Sequence, residues 1–197
     1  SRDLAKIVLQ GLMFNTYHFI QKPGEKILQE IGGIKKMMNL SGFVSSDSGG
    51  FQLFSLIHKN PNMGKITDEG IVLYNGPKKQ SKTVFTPEDS IRMQFAIGSD
   101  VMICLDDFTP PKAKEKRIRE SVERTITWAK RAKVEFEKQL VKYDFNDNNR
   151  PLLLSPIQGH DNKKWRTYCA SELKKIGFDI YGLGGWPFTK DDKFDYS

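Results

Sequence analysis

Four short stretches of this chain place chemically capable residues directly after apolar runs. Asp47 lies within Ser45-Ser46-Asp47-Ser48-Gly49-Gly50-Phe51-Gln52, a carboxylate followed by a glycine pair and an aromatic ring. Asp106-Asp107, Gln158-Gly159 and Gly184-Gly185 each end another apolar run in the same way. A carboxylate accepts paired N–H donors, a glutamine amide donates and accepts in one plane, and glycine N–H groups donate to a carbonyl. Together these groups match the edge of an amide-bearing heterocycle such as guanine, where N1–H and the 2-amino group donate and O6 accepts. Phe51 supplies a stacking face. One carboxylate would meet the heterocycle edge, and a second is left for proton transfer.

Any one of these stretches alone is ordinary loop chemistry, because a strand-to-loop junction often needs glycine for backbone freedom. The elements that carry them decide between the two readings. Glu25 to Asn39 has Ile27, Leu28, Ile31, Ile34 and Met38 at helical spacing, which predicts one helix. A strand over Phe43–Ser46 follows. Residues 57–84 predict an irregular excursion with a hairpin, its tip at Lys78-Lys79-Gln80. Thr86-Pro87-Glu88-Asp89 reads as a helix start, and Gly98 as its stop. Asp100 to Leu105 is a strand-length apolar run. A long helix spans about Lys116 to Lys142, Pro151 to Ile157 is a third strand, and Asn162 to Ile176 is a helix closed by Gly177. Phe178 to Leu183 runs into Gly184-Gly185.

Apolar runs alternating with helices predict a parallel sheet covered by helices. In such folds the ligand site lies at the carboxyl ends of the strands. The four strand ends therefore converge on one pocket. Neither a GxGxxG after the first strand nor a GxxxxGK[ST] is present, so a phosphate cradle is not expected. His18, His58 and His160 are scattered, and His18 reads as structural.

With 197 residues and 38% hydrophobic content the chain can bury a core as one domain, residues 1–197. No signal peptide and no membrane span is expected, since no apolar run approaches about 20 residues. Cys104 and Cys169 are not spaced as a metal or disulfide framework, which fits a reducing cytoplasm. The net charge is +7, and basic residues crowd Lys112 to Lys142: Lys112, Lys114, Lys116, Arg117, Arg119, Arg124, Lys130, Arg131 and Lys133. A solvated helix face accounts for such a run, and a phosphate-facing stripe is the functional alternative.

The motifs resemble the tRNA-guanine transglycosylases, also called queuine tRNA-ribosyltransferases. The matching residues are Asn15-Thr16-Tyr17-His18, Lys22-Pro23-Gly24, Ser46 to Gln52, Thr86 to Ser90, Gly98-Ser99-Asp100 through Pro110, Trp128 to Arg131, Gln158-Gly159, and Gly177-Phe178-Asp179 through Gly185. The resemblance implies a (β/α)8 TIM-type barrel of which this chain covers about the first half. It also implies exchange of guanine in tRNA for a 7-deazaguanine, a pentosyl transfer. By position, Asp47 would be the general acid/base and Asp106 would bind the N1/2-amino edge. Gln158 with the Gly184-Gly185 backbone would bind O6, and Phe51 would stack on the ring. The nucleophilic aspartate and the CxCxxC…H zinc site of the family lie in the later half, so no cofactor is expected in this chain and zinc is expected in the missing part. Expected partners are tRNA, the guanine or 7-deazaguanine base, and a second subunit, as homodimer or heterodimer, with the protein in the cytoplasm and no membrane. A non-catalytic tRNA-binding subunit and a DNA-directed transglycosylase are the alternatives. Phe108 stands where small residues such as cysteine are familiar, and Trp186-Pro187 where leucine is usual.

Overall fold

A computed structural model describes residues 10–75, 81–110 and 112–185. The elements run β1 (Gly11–Phe14), α1 (Thr16–Gln21), α2 (Glu25–Ile31), α3 (Gly33–Met38), β2 (Phe43–Ser46), α4 (Gly50–Lys59), β3 (Gly64–Ile66), β4 (Ile71–Asn75), β5 (Ser81–Phe85), α5 (Pro87–Ile97), β6 (Val101–Ile103), α6 (Glu115–Lys142), β7 (Leu152–Ile157), α7 (Lys163–Ile176) and β8 (Ile180–Leu183). Five strands form one sheet in the order β1-β2-β6-β7-β8, every neighbouring pair parallel. Each new strand adds to the same edge. A doubly wound sheet reverses its strand order partway, whereas a barrel does not. The fold is thus the expected α/β class, and this sheet is an arc of a (β/α)8 barrel.

Register separates the two faces. Phe14, Ser46, Met102 and Leu153 align across the sheet and face the helices together with Val44, which packs with Phe14, Leu28, Ile34 and Met93, while Met102 and Leu153 pack with Ile91, Ala132 and Phe136. On the opposite face, Met13 is 61%, Phe43 48% and Leu152 40% exposed. A parallel sheet is ordinarily covered on both sides, and no described element covers these inner side chains.

The sequence expectations need several corrections. The stretch from Glu25 to Asn39 is two helices, because Gly32 and Gly33 both take φ +88. A side chain at Gly33 would put its Cβ 2.9 Å from the Ile97 carbonyl oxygen, so the glycine also permits α3 to approach α5 closely. The sheet has a fifth strand, β1, which the sequence reading did not find, and α1 and α4 were likewise missed. β6 covers only Val101–Ile103 of the Asp100 to Leu105 run, although the Asp100 N–H donates to the Val44 carbonyl at 2.7 Å and the Asp100 carboxylate accepts the Val44 N–H at 2.8 Å. The expected hairpin is an antiparallel three-stranded meander, β3-β4-β5. It is fastened to α6 by Trp128 Nε1, which donates to the Asp68 carbonyl at 2.8 Å. Lys78-Lys79-Gln80 and Trp186-Pro187 lie outside the described residues. Among those described, no helix is long and apolar enough to cross a membrane.

Candidate active site at the strand ends

The carboxyl end of β2 explains the glycine pair. Gly49 has φ +78 and its Cβ would sit 3.0 Å from the Tyr17 backbone nitrogen, while a Cβ on Gly50 would meet Leu105 Cδ1 at 2.6 Å. Only bare backbone fits there. Asp47 is consequently held between this turn and β1. Its carboxylate accepts from Gly49 N at 2.8 Å, Asn15 Nδ2 at 2.9 Å and Thr16 N at 3.3 Å, and the Thr16 hydroxyl donates to its carbonyl. Burial pushes the Asp47 carboxyl up, and the bonds from Gly49, Thr16 and Asn15 oppose that without cancelling it. Asn15 and Thr16 hold the Asp47 carboxylate, a role that the sequence alone did not assign to them. Their signal was position, directly after a strand too short to recognise.

At the ends of β6 and β7, Gln158 Nε2 donates to Asp106 Oδ2 at 2.5 Å. Burial raises the Asp106 carboxyl to about 6, against the pull of that hydrogen bond and with help from the Asp107 charge. Gln158 is fully buried, and its backbone N–H donates to Cys169 Sγ at 3.3 Å. Its Oε1 is buried and pairs with no described residue. A Cβ on Gly184 would lie 2.7 Å from Gln158 Nε2, so glycine there makes room for the amide. The Gly184 N–H is committed to the Ile157 carbonyl at 2.9 Å. Of the glycine pair, Gly185, with φ +120, shows no backbone bond among the described residues.

The β2 and β6 ends meet as well: a Cβ on Gly50 would lie 3.6 Å from the Asp106 carbonyl oxygen. Phe51, half exposed at the start of α4, stands edge-on to Phe108 with centroids 5.3 Å apart, and Phe108 in turn packs on Phe54 at 5.1 Å. Phe108 thus fills the space beneath the exposed ring.

Asp107 turns away from this rim. It is buried under α6, where Arg117 pairs with both its oxygens and Arg124 with one, at 2.5–2.8 Å. It is not beside the pocket as its sequence neighbour Asp106 suggested. Glu88 is bound bidentately by Arg131, both at 2.7 Å, and Asp89 closes the capping box of α5. Arg166 is a residue the sequence reading passed over. It donates to the carbonyls of Ile157 at 2.9 Å, Gly184 at 3.0 Å and His160 at 2.6 and 3.0 Å, tying together the β7 end, its loop and the β8 end.

The described residues contain no group of three or more histidine, cysteine or carboxylate side chains able to hold a metal. Cys104 and Cys169 are buried free thiols. A zinc site is not built from them.

An arc of parallel strands with a carboxylate–amide pair and a separately held carboxylate at its carboxyl rim defines a barrel protein of the (β/α)8 class with a polar site at its strand ends. Residues 1–196 match the family model described as Queuine tRNA-ribosyltransferase, and the chain belongs to that family. It is 39% identical over 184 residues to a queuine tRNA-ribosyltransferase of Methylacidiphilum infernorum, covering 93% of this chain and 47% of the relative. Similar relatives under the same name come from Pseudoalteromonas translucida, 39% identical over 89% of this chain and 43% of the relative, and Thermotoga neapolitana, 35% identical over 93% and 46%. The chain spans somewhat less than half the length of these curated relatives.

Proposed function

We propose that this chain supplies the base-recognising part of a pentosyltransferase that exchanges guanine in tRNA for a 7-deazaguanine. The observation that carries this reading is the Asp106–Gln158 pair, a carboxylate and an amide 2.5 Å apart on adjacent strand ends. A planar base inserted there meets an acceptor pair in Asp106 for N1–H and the 2-amino group, and a donor in the second Nε2 hydrogen of Gln158 for O6. Gly185 adds a backbone donor on the O6 side, and the Phe51 ring covers one face of the base.

Base exchange breaks the C1′–N9 bond of the ribosyl guanine and forms a corresponding bond to the incoming base. The departing base gains a proton and the incoming base loses one. Asp47 carries that proton in both directions, and its raised carboxyl suits the task. The carboxylate that holds the ribosyl group between the two steps belongs to a segment of the full-length protein outside this chain, as does zinc. The names of the relatives favour an enzyme acting on tRNA over a non-catalytic subunit or a DNA-directed relative. The protein works in the cytoplasm, and the full-length form pairs with a second subunit.

The test is incorporation of labelled guanine into unmodified tRNA by the full-length protein. Incorporation that excess unlabelled guanine competes away is the expected result. No incorporation, with tRNA bound and the protein folded, would overturn the reading.

A further inference from the structure

Outside the base site, a second feature opens between the first turns of α6 and α7. It is an open cleft of about 450 Å³ lined by Glu115, Lys116, Arg119, Lys164 and Trp165. Its floor is an indole held in place at its edge, Trp165 Nε1 donating to Glu115 Oε1 at 3.2 Å, with the Lys164 ammonium 5.2 Å from the ring centroid. Three cations outnumber the single acid, and that acid is occupied by the indole. Lys116 and Arg119 have only loose partners on their own helix, Glu120 at 4.0 Å and Glu123 at 3.9 Å, and Lys116 is 80% exposed. Exposed pairs of that length hold weakly and exchange readily for a better anion.

Three arginines of the basic run are spent internally, Arg117 and Arg124 on Asp107 and Arg131 on Glu88. Lys116 and Arg119 are thus the members of that run that line an open cleft. The cleft also lies on the same rim as the base site. α6 follows the loop that carries Asp106, and α7 follows the loop that carries Gln158. Arg166, next to Trp165, anchors the start of α7 to the carbonyls of Ile157 and Gly184, so cleft and base site share one frame.

We infer that this cleft is a phosphate-backbone site for the RNA whose base enters the neighbouring pocket, with Lys116, Arg119 and Lys164 meeting phosphates beside the Trp165 indole. The inference rests on the base-exchange reading. Basic grooves with an aromatic floor are how single-stranded segments are gripped without regard to sequence. Each phosphate contact contributes about −0.7 to −0.9 to the slope of log affinity against log salt.

The experiment compares the full-length protein with its K116Q/R119Q/K164Q variant, and with Lys26→Gln on α2 as a control. An unmodified tRNA transcript is titrated across a salt series, and free guanine binding and labelled-guanine exchange are followed in parallel. The triple variant should lose about two units of salt slope and at least roughly tenfold in tRNA affinity at low salt. It should raise KM for tRNA, leave free guanine binding unchanged, and the Lys26→Gln control should match wild type. A triple variant with wild-type affinity and slope would overturn the cleft site while leaving the base-exchange reading intact. Absence of guanine exchange by wild type would instead overturn that reading, with the salt slopes still deciding whether the cleft grips RNA.

Discussion

Asp47 and Asp106 are carboxylates on one rim with different surroundings, and the difference sets what each substitution should do. Asp47 is ringed by donors, so Asp47→Asn keeps one acceptor oxygen and turns an amide toward N–H groups. Exchange of labelled guanine should fall by about 10²–10⁴-fold, and stability by about 1–2 kcal/mol, with the protein still folded. Near-normal exchange would remove Asp47 from the proton-transfer role. Asp106 is met by one side-chain donor, Gln158. Its carboxyl rises to about 6 through burial, so the folded chain holds that proton more tightly than the unfolded one. The contribution of this group to stability therefore worsens as pH rises from about 4 through about 6 and stays unfavourable above. Asp106→Asn should raise the unfolding free energy at pH 8 by roughly 1–3 kcal/mol, read by urea denaturation. The same change should weaken guanine binding by roughly 1–3 kcal/mol, because one buried donor of the base goes unpaired. Wild-type guanine affinity should decline as pH falls through about 6, while that of the Asn variant stays flat. A pH-independent wild type would place the carboxylate outside the binding edge. At this scale Asp47, Asp106 and Gln158 were legible because each is a polar residue where a buried run ends. Asn15, Thr16 and Arg166 were not, since they act on groups that only folding brings near.

Among the elements, α5 packs on the sheet through its apolar face and is hydrogen-bonded to it by the buried Gln94. Gln94 accepts from Ile103 N at 2.8 Å and Ser46 Oγ at 2.9 Å, and donates to Ile103 O at 2.9 Å and Ser90 Oγ at 3.1 Å. Its amide thereby satisfies both backbone groups of Ile103, the last residue of β6, just before the chain turns toward Asp106. Gln94→Leu leaves these groups buried and unpaired, at about 1–3 kcal/mol for each that finds no water. A loss of roughly 3 kcal/mol or more in urea denaturation is expected, with an unchanged slope. A loss below 1 kcal/mol would show that water replaces the amide. The start of α5 could be read in advance: Thr86 and Asp89 form the reciprocal bonds of a capping box, as their spacing implies. β1 could not, because Gly11–Phe14 lacks both length and flanking turn signals. The single helix expected from Glu25 to Asn39 failed because its apolar spacing continues straight through the Gly32-Gly33 break. Periodicity reports a buried face, not an unbroken axis.

For the molecule as a whole, the helix side of the sheet is filled and no described element covers the inner side. Produced as these 197 residues alone, the polypeptide should self-associate through that face, where Met13, Phe43 and Leu152 stand exposed. It should also show no guanine exchange, because Asp47 and Asp106 have the tasks proposed for them and, among the described residues, Asp107, Glu88 and Asp89 are bound elsewhere. Light scattering after size exclusion, and the labelled-guanine assay, read the two outcomes. A monodisperse monomer with full exchange would contradict both. The alternation of strands and helices was enough to reveal the parallel sheet, while that inner face became visible only once the register was known. The Arg166 clamp has a kinetic corollary. Its one guanidinium is bonded to the β7 end, the following loop and the β8 end, so these segments should open together. The amide hydrogens of Asn162 and Gly184, bonded to Gly159 and Ile157, should exchange with deuterium at one shared opening rate, and Arg166→Ala should split it into two.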